Sequence, residues 1–328
     1  MKTPQQKYPK KRSAGFSLIE FLVASVLSMI VLIAIGSGYF AARKINDVAL
    51  GRLGVQQDMR NAANLIVRDA RMAGSFGCFN MANKVPATVG SDGSTSPITP
   101  SNLMAAGQTT ALVPVKSFAG TTFNVTGFTA SGNALVFQYG IGSASITGNA
   151  DGTMTMQVPP DDPLQSISNA MPLVFSSCNV LDRPTSFAVT RGKDSMTINN
   201  INPALNTGHV AAEMSILRYM VSAYVIGTTT AGEQGLYRIQ LGDDNTWQSP
   251  QLLLPGITAM NISYGYVGNC APSGAAASDI SRETFTFANA LDGTQNPPTP
   301  ALIRITLNGN TLAAQGKDME SAASRTDA

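Results

Sequence analysis

The stretch that decides the fold is KKRSAGFSLIEFLVASVLSMIVLIAIGSGYFAAR, residues 10–43. From Phe21 to Ala42 it carries no charged residue. An α-helix rises about 1.5 Å per residue, so this run would span ~33 Å, close to the ~30 Å hydrocarbon core of a bilayer. The sequence therefore predicts one membrane-spanning helix near the N-terminus.

Positive charge is concentrated ahead of this helix. The 328 residues carry 22 Lys and Arg against 20 Asp and Glu, a formal net charge of +2. Residues 1–15 hold five of the basic residues and no acidic one, so the rest of the chain has a net charge of −3. By the positive-inside rule, the basic segment stays cytoplasmic and the residues after the helix are exported. Because the body has no basic excess, we expect no nucleic-acid partner.

A cleaved secretory signal peptide is the first alternative for this segment. The apolar region of such a peptide has about 7–15 residues and ends in a small-residue cleavage site. The uncharged run here is longer, and only a weak Ala-Ala pair precedes Arg43. We therefore expect the helix to be retained in the mature protein.

Glu20 is the residue that a plain membrane anchor does not explain. It lies inside the apolar stretch that begins at Phe16. A carboxylate in hydrocarbon costs a few kcal/mol, so Glu20 needs a partner, a function or a place near the headgroups.

The residues around Glu20 resemble the type III signal sequence of type IV pilins and type II secretion pseudopilins. The shared features are a basic leader ending in Gly15, then Phe16, Glu20 and a long apolar helix. The resemblance implies that a prepilin peptidase cleaves between Gly15 and Phe16, and that Phe16 is then N-methylated. It also implies that Glu20 pairs with the terminal amine of a neighbouring subunit during assembly. An α-amine has a pKa near 8, so at neutral pH it would attract a carboxylate strongly in an apolar bundle.

Beyond Arg43 the pattern predicts an amphipathic continuation of the helix to Ala73. Apolar residues recur at intervals of three and four, with Arg52 breaking the stripe: Ile45, Val48, Val55, Met59, Ala62, Ile66 and Ala73. Glycine weakens a helix by up to about 1 kcal/mol relative to alanine, so we expect bends or local melting at Gly36, Gly38, Gly51 and Gly54. Residues 16–42 would form the membrane and assembly half of the helix, and residues 43–73 its periplasmic half.

Residues 74–307 have the pattern of an antiparallel β-rich head, because short segments alternate apolar and polar residues between turns. The candidate strands are 121–128, 133–139, 152–158, 171–175, 185–190, 195–199, 213–226, 235–241, 251–266 and 301–307. Residues 86–110 read as a loop and residues 308–328 as a flexible polar tail. The predicted class is α+β and pilin-like: a long N-terminal α-helix packed on a C-terminal antiparallel β-rich globular domain.

Within the pilin superfamily, two segments are similar to minor pilins of the PilW/PilJ kind. Residues 71–78, RMAGSFGC, are similar to the family's helix end, and residues 173–178, LVFSSC, to a later strand that ends in cysteine. A looser similarity covers residues 254–265. From Val267 onward the chain departs from its relatives, which often carry an acidic loop there, so no calcium or partner role of that loop is carried over.

The same resemblance implies a disulfide between Cys78 and Cys178. Three cysteines alone allow three pairings, and Cys270 is left over in this one. An oxidising periplasm would permit the bond.

The sequence offers no recognisable catalytic, cofactor or metal site, and we expect no enzyme. The single histidine, His209, lies in a turn-like stretch and reads as a surface residue. Asp161-Asp162 and Asp243-Asp244-Asn245 do not match the twelve-residue calcium loop and read as solvated turns. Trp247 is more typical of ordinary packing than of a partner anchor.

Together these features predict a minor pilin of the PilW/PilJ kind, a structural assembly factor. The resemblance implies inner-membrane insertion with a periplasmic head, then packing with other minor pilins and the major pilin to prime the pilus at its tip, on the cell surface. A tip adhesin role is compatible with this. Two alternatives stay open: a pseudopilin of a type II secretion system, and an uncleaved single-pass membrane protein with a periplasmic binding domain.

Overall fold

The computed structural model describes residues 17–81, 114–120, 123–150, 153–158, 162–178, 180–192, 195–202, 214–267, 285–291 and 300–309. Several features predicted above lie outside these residues: the leader, Gly15, Phe16, the 86–110 loop, His209, Cys270 and the tail from residue 310.

One uninterrupted α-helix, α1, spans Leu18–Met72, which is 55 residues. Within the described ranges it is long and apolar enough to cross a membrane, judged by length and composition. The expected bends do not break it, since the helix continues through all four glycines. It ends just before Gly74, whose φ of +78° is the left-handed conformation that commonly closes a helix.

The chain divides into two compact units, residues 1–54 and residues 55–328. In the described part of the first unit, the large apolar side chains of α1 from Leu18 to Ile45 are exposed, from 51% at Val26 to 80% at Leu18. Exposure of this much apolar surface to water is unfavourable. We therefore expect lipid hydrocarbon or other apolar helices to surround these side chains.

The described part of the second unit adds sixteen strands to the end of α1. In chain order they are β1 Ser75–Phe76, β2 Phe79–Asn80, β3 Val115–Ala119, β4 Asn124–Val125, β5 Phe128–Ala150, β6 Thr153–Gln157, β7 Leu173–Ser176, β8 Leu181–Asp182, β9 Ser186–Arg191, β10 Met196–Asn202, β11 Ser215–Thr229, β12 Gln234–Gln240, β13 Gln251–Pro255, β14 Ile257–Val267, β15 Phe285–Ala288 and β16 Leu302–Gly309.

Eleven of these strands form one antiparallel sheet around the long neighbours β5 and β11. Its main path is β13-β12-β11-β5-β6-β10-β9, while β3 and β4 pair with β5, β7 pairs with β11, and β8 pairs with β7. A second sheet has the order β15-β14-β16, and β1 and β2 form a hairpin directly after α1.

The central strand β11 is buried on both faces of the large sheet. Tyr219 and Val221 belong to one apolar core, with the hairpin after α1 and Trp247. Tyr224 and Ile226 belong to the other, which includes Ile66 of α1 and the inner side of the second sheet. A strand covered on both faces needs apolar residues at most positions, which is why its sequence shows little alternation.

The architecture confirms the predicted α+β class, although some strands differ from the predicted segments. The segment 251–266 is two strands, because Gly256 turns the chain with a φ of +73° and its N–H donates to the Gln234 carbonyl. The segment 133–139 is the middle of the 23-residue β5. In the segment 121–128, the described part holds the short β4 and a turn at Gly127, where φ is +78°.

Candidate functional site

The N-terminal end of α1 places Glu20 at the first turn of the helix. Ser17 directly precedes the helix, and its backbone N–H donates to Glu20 Oε2 at 3.1 Å. Ser-x-x-Glu at a helix start is half of a capping box, in which the glutamate satisfies a backbone donor that the helix leaves open. Ser17-Leu18-Ile19-Glu20 carries this signature in the sequence, although the capping role of Glu20 was not predicted from it.

Glu20 is exposed, so its capping contact leaves the carboxylate accessible to a second group. The positive end of the helix dipole also favours a negative charge at this position. The arrangement can therefore bind a cation that approaches the end of the apolar helix. The proposed cleavage and methylation positions, Gly15 and Phe16, lie just outside the described residues.

At the other end of α1, a buried carboxylate joins the helix to the large sheet. Asp69 has no exposed surface. Its Oδ1 accepts from the Tyr139 hydroxyl at 3.1 Å, and its Oδ2 accepts from the Tyr224 hydroxyl and from Arg238 Nη2, each at 2.7 Å. We call Asp69, Tyr139, Tyr224 and Arg238 the Asp69 cluster.

The Asp69 cluster is an ion pair surrounded by hydroxyl donors. Arg238 is 6% exposed, and its Nη2 also contacts Ser222 Oγ at 3.1 Å. Burial alone would lower the pKa of Arg238, but Tyr224 and Asp69 raise it above its usual range. Burial and the Asp69 charge raise the pKa of Tyr224, so its hydroxyl stays protonated and donates. All the donors to the Asp69 carboxylate belong to the same chain. The cluster therefore fixes the C-terminal end of α1 on the large sheet.

Sequence reasoning did not find the Asp69 cluster, although a signal was present. Asp69 continues the apolar stripe of α1 three residues after Ile66, on the face that is buried. A charged residue at such a position needs a buried partner. Its partner, Arg238, lies on the distant strand β12, so only the tertiary structure shows that the two residues pair.

The disulfide joins Cys78 and Cys178, the pair that the resemblance implies. Their Cα atoms are 4.7 Å apart, and both residues are exposed. Beside the bond, Ser176 Oγ donates to the Phe76 carbonyl at 2.5 Å, and Phe76 is fully buried. The bond therefore ties the hairpin after α1 to the end of β7.

The acidic turn at residues 243–245 is bound by two arginines. Arg218 forms an ion pair with Asp243, and Arg183 Nη2 donates to Asn245 Oδ1 at 2.7 Å. The third residue, Asp244, accepts from the Thr246 N–H, and hydrogen bonding to Thr246 lowers its pKa. One oxygen of each of these three exposed residues is engaged by the protein's own donors, which gives the turn after β12 a structural role.

Trp247 is partly buried and packs against the core beside this turn, with its ring centroid 5.2 Å from that of Phe123. Within the described part of the chain, no three His, Cys, Asp or Glu side chains are grouped so that they could hold a metal ion. Asp161, His209 and Cys270 are outside that part.

The comparison with protein families finds one motif at the N-terminus. Residues 10–36 match the model described as the prokaryotic N-terminal methylation motif. The matched range includes Gly15, Phe16, Glu20 and the apolar run as far as Gly36. No curated protein and no solved structure matches the chain. The match supports a type IV pilin-like protein, of pilin or pseudopilin type, that is processed by a prepilin peptidase.

Proposed function

We propose that this protein is a minor pilin of the PilW/PilJ kind, which acts by assembly and carries out no catalysis. The observation that carries the proposal is the methylation motif over residues 10–36, followed by an exposed apolar helix. A prepilin peptidase cleaves after Gly15, and the new N-terminal residue, Phe16, is methylated. The leader holds the N-terminus in the cytoplasm and the head enters the periplasm.

In the assembled state, residues 16–42 pack against the corresponding helices of other minor pilins and the major pilin. This packing covers the apolar side chains that α1 exposes in the single chain. The Glu20 carboxylate, which accepts from the Ser17 N–H in the single chain, also pairs with the terminal amine of a neighbour. Two opposite charges attract strongly in an apolar bundle, so this ion pair sets how the subunits align.

The large size of the head favours a position at the pilus tip. Residues 74–307 would be difficult to repeat along a closely packed shaft, so a terminal or sparse position is the steric expectation. From the tip the protein primes assembly and can present an adhesive surface outside the cell.

The first experiment determines the mature N-terminus. Mass spectrometry of the purified protein should find a chain that begins at methylated Phe16. A retained leader would favour the uncleaved single-pass membrane protein with a periplasmic binding domain.

A second experiment separates a pilin from a secretion pseudopilin, since both share the N-terminal motif. Deletion of the gene should reduce surface pili and leave protein secretion unchanged. Loss of secretion with normal pili would assign the protein to a type II secretion system.

A further inference from the structure

The C-terminal part of α1 is held on the head unevenly. Among residues 55–72, only Ala62, Ile66 and Asp69 are buried. Two of these are apolar, and one of the two is a small alanine. Since apolar stabilisation grows with the area buried, the helix before Asp69 is held on the head mainly by Ile66, together with Ala62 and the half-buried Met59.

A groove beside the helix shows the same weakness. On the helix side it is lined by Met59, Ala62, Ala63 and Ile66. On the head side it is lined by Leu254 of β13, and by Ile305 and Leu307 of β16. The unfilled space means that these side chains lose part of the packing they would have in a closed core.

The helix is also weak just before this region. Gly51 and Gly54 lie within one turn of Val55, and each lowers helix stability by about 1 kcal/mol relative to alanine. Gly54 has no neighbouring atom within 4 Å of the position a Cβ would occupy. Close packing therefore does not require a glycine at this position.

Residues 67–72 are held much more firmly. Asp69 accepts hydrogen bonds from three buried side chains, and breaking a buried ion pair is strongly destabilising. Directly after the helix, the Gly74 N–H donates to the Gln138 carbonyl at 2.8 Å, and the disulfide follows at Cys78.

We propose that residues 55–66 form a detachable strap, which opens from the sheet while the Asp69 cluster holds residues 67–72 in place. Opening bares the apolar side chains of Leu254, Ile305 and Leu307 and lengthens the free chain between the membrane helix and the head. The Asp69 cluster confines the opening to residues 55–66. This device goes beyond the role in pilus assembly and does not depend on which machine the protein serves.

Hydrogen exchange of the full chain in detergent micelles tests the strap, because exchange measures local opening. In the wild type, amides of residues 55–66 should exchange at least about tenfold faster than those of residues 71–74, whose acceptors lie in residues 67–70 or on the sheet. Equal protection of the two segments would overturn the proposal.

Two variants act on the two parts separately. Ala63→Leu fills the groove, so it should slow exchange of residues 55–66 and leave residues 71–74 unchanged. Asp69→Asn removes the buried charge, so it should raise exchange of residues 71–74 to the level of the strap. Arg68→Gln is the matched control. Arg68 Nε forms only a long ion pair of 3.7 Å with Asp69 Oδ1 and its side chain is 59% exposed, so its removal should leave both segments nearly unchanged.

The proposal fails if Ala63→Leu leaves the strap as open as before, or if Arg68→Gln has the effect of Asp69→Asn. If Asp69→Asn does not fold, the wild-type gradient and Ala63→Leu still decide the question.

Discussion

Asp69 Oδ2 and Arg238 Nη2 lie 2.7 Å apart, although the two residues are 169 positions apart in the sequence. One is on α1 and the other on β12, and both are buried. The position of the C-terminal end of α1 on the large sheet therefore depends on an ion pair that is shielded from water.

The Asp69–Arg238 pair should show strong coupling in a double-mutant cycle. Each single change, Asp69→Leu or Arg238→Met, should lower the free energy of unfolding by about 3–5 kcal/mol, because it leaves one buried charge unpaired. The double variant should lose less stability than the two single losses added together, because it leaves no buried charge unpaired. Guanidinium unfolding can be followed by the fluorescence of Trp247, the single tryptophan, which packs against the core. Additive losses would contradict the pairing.

The buried tyrosines should limit stability at high pH. Burial raises the pKa of Tyr264 to about 12, from an ordinary value of 10.0, and burial also raises the pKa of Tyr139. A raised pKa means that the folded state keeps a proton which the unfolded state releases. Stability should be complete below pH 10 and fall as pH rises from 10 towards 12. Tyr264→Phe should flatten this decline in an unfolding series, and an unchanged slope would contradict the assignment.

The disulfide should stabilise the head substantially. It closes a loop with a sequence separation of 100, for which the chain-entropy model gives up to about 4.7 kcal/mol. Cys78→Ser with Cys178→Ser should lower the denaturation midpoint accordingly, and a reducing agent should have the same effect on the wild type, because both cysteines are exposed. Reduction without loss of stability would show that burial of Phe76 is sufficient to hold the hairpin.

Two glycines offer a matched test of backbone conformation and packing. Gly74 and Gly132 both have positive φ, +78° and +74°. A Cβ at Gly74 would lie 2.7 Å from the Pro114 Cβ, whereas at Gly132 nothing lies within 4 Å. Gly132→Ala should cost about 1–2 kcal/mol from the left-handed conformation alone. Gly74→Ala should cost clearly more, which thermal unfolding of the two variants can compare.

The long apolar helix and the β-rich head were predictable because each depends on a local pattern. The uncharged run before Arg43 and the alternation in β12 need no distant contact to be read. The break at Gly256 is different, because any glycine in a strand could be a bulge, a bend or a close contact. Its turn is fixed by the hydrogen bond to Gln234, which only the paired strands bring near.

The candidate site divides in the same way. Glu20 stands out in the sequence because it interrupts an apolar run and belongs to a short motif. Asp69 could have been suspected from its place on the buried stripe, but Tyr139, Tyr224 and Arg238 come from three different strands. Their convergence depends on the register of β5, β11 and β12, which sequence periodicity does not fix.

Glu20 has two separable properties, and two substitutions distinguish them. Glu20→Gln keeps an oxygen that can accept from the Ser17 N–H but removes the charge, while Glu20→Ala removes both. Both variants should still insert in the membrane, because the uncharged run from Phe21 is unchanged. If pairing with a neighbour's amine drives assembly, both should be absent from sheared filaments while present in the membrane fraction. If Glu20→Gln enters filaments normally and Glu20→Ala does not, the helix cap and not the charge is what assembly requires.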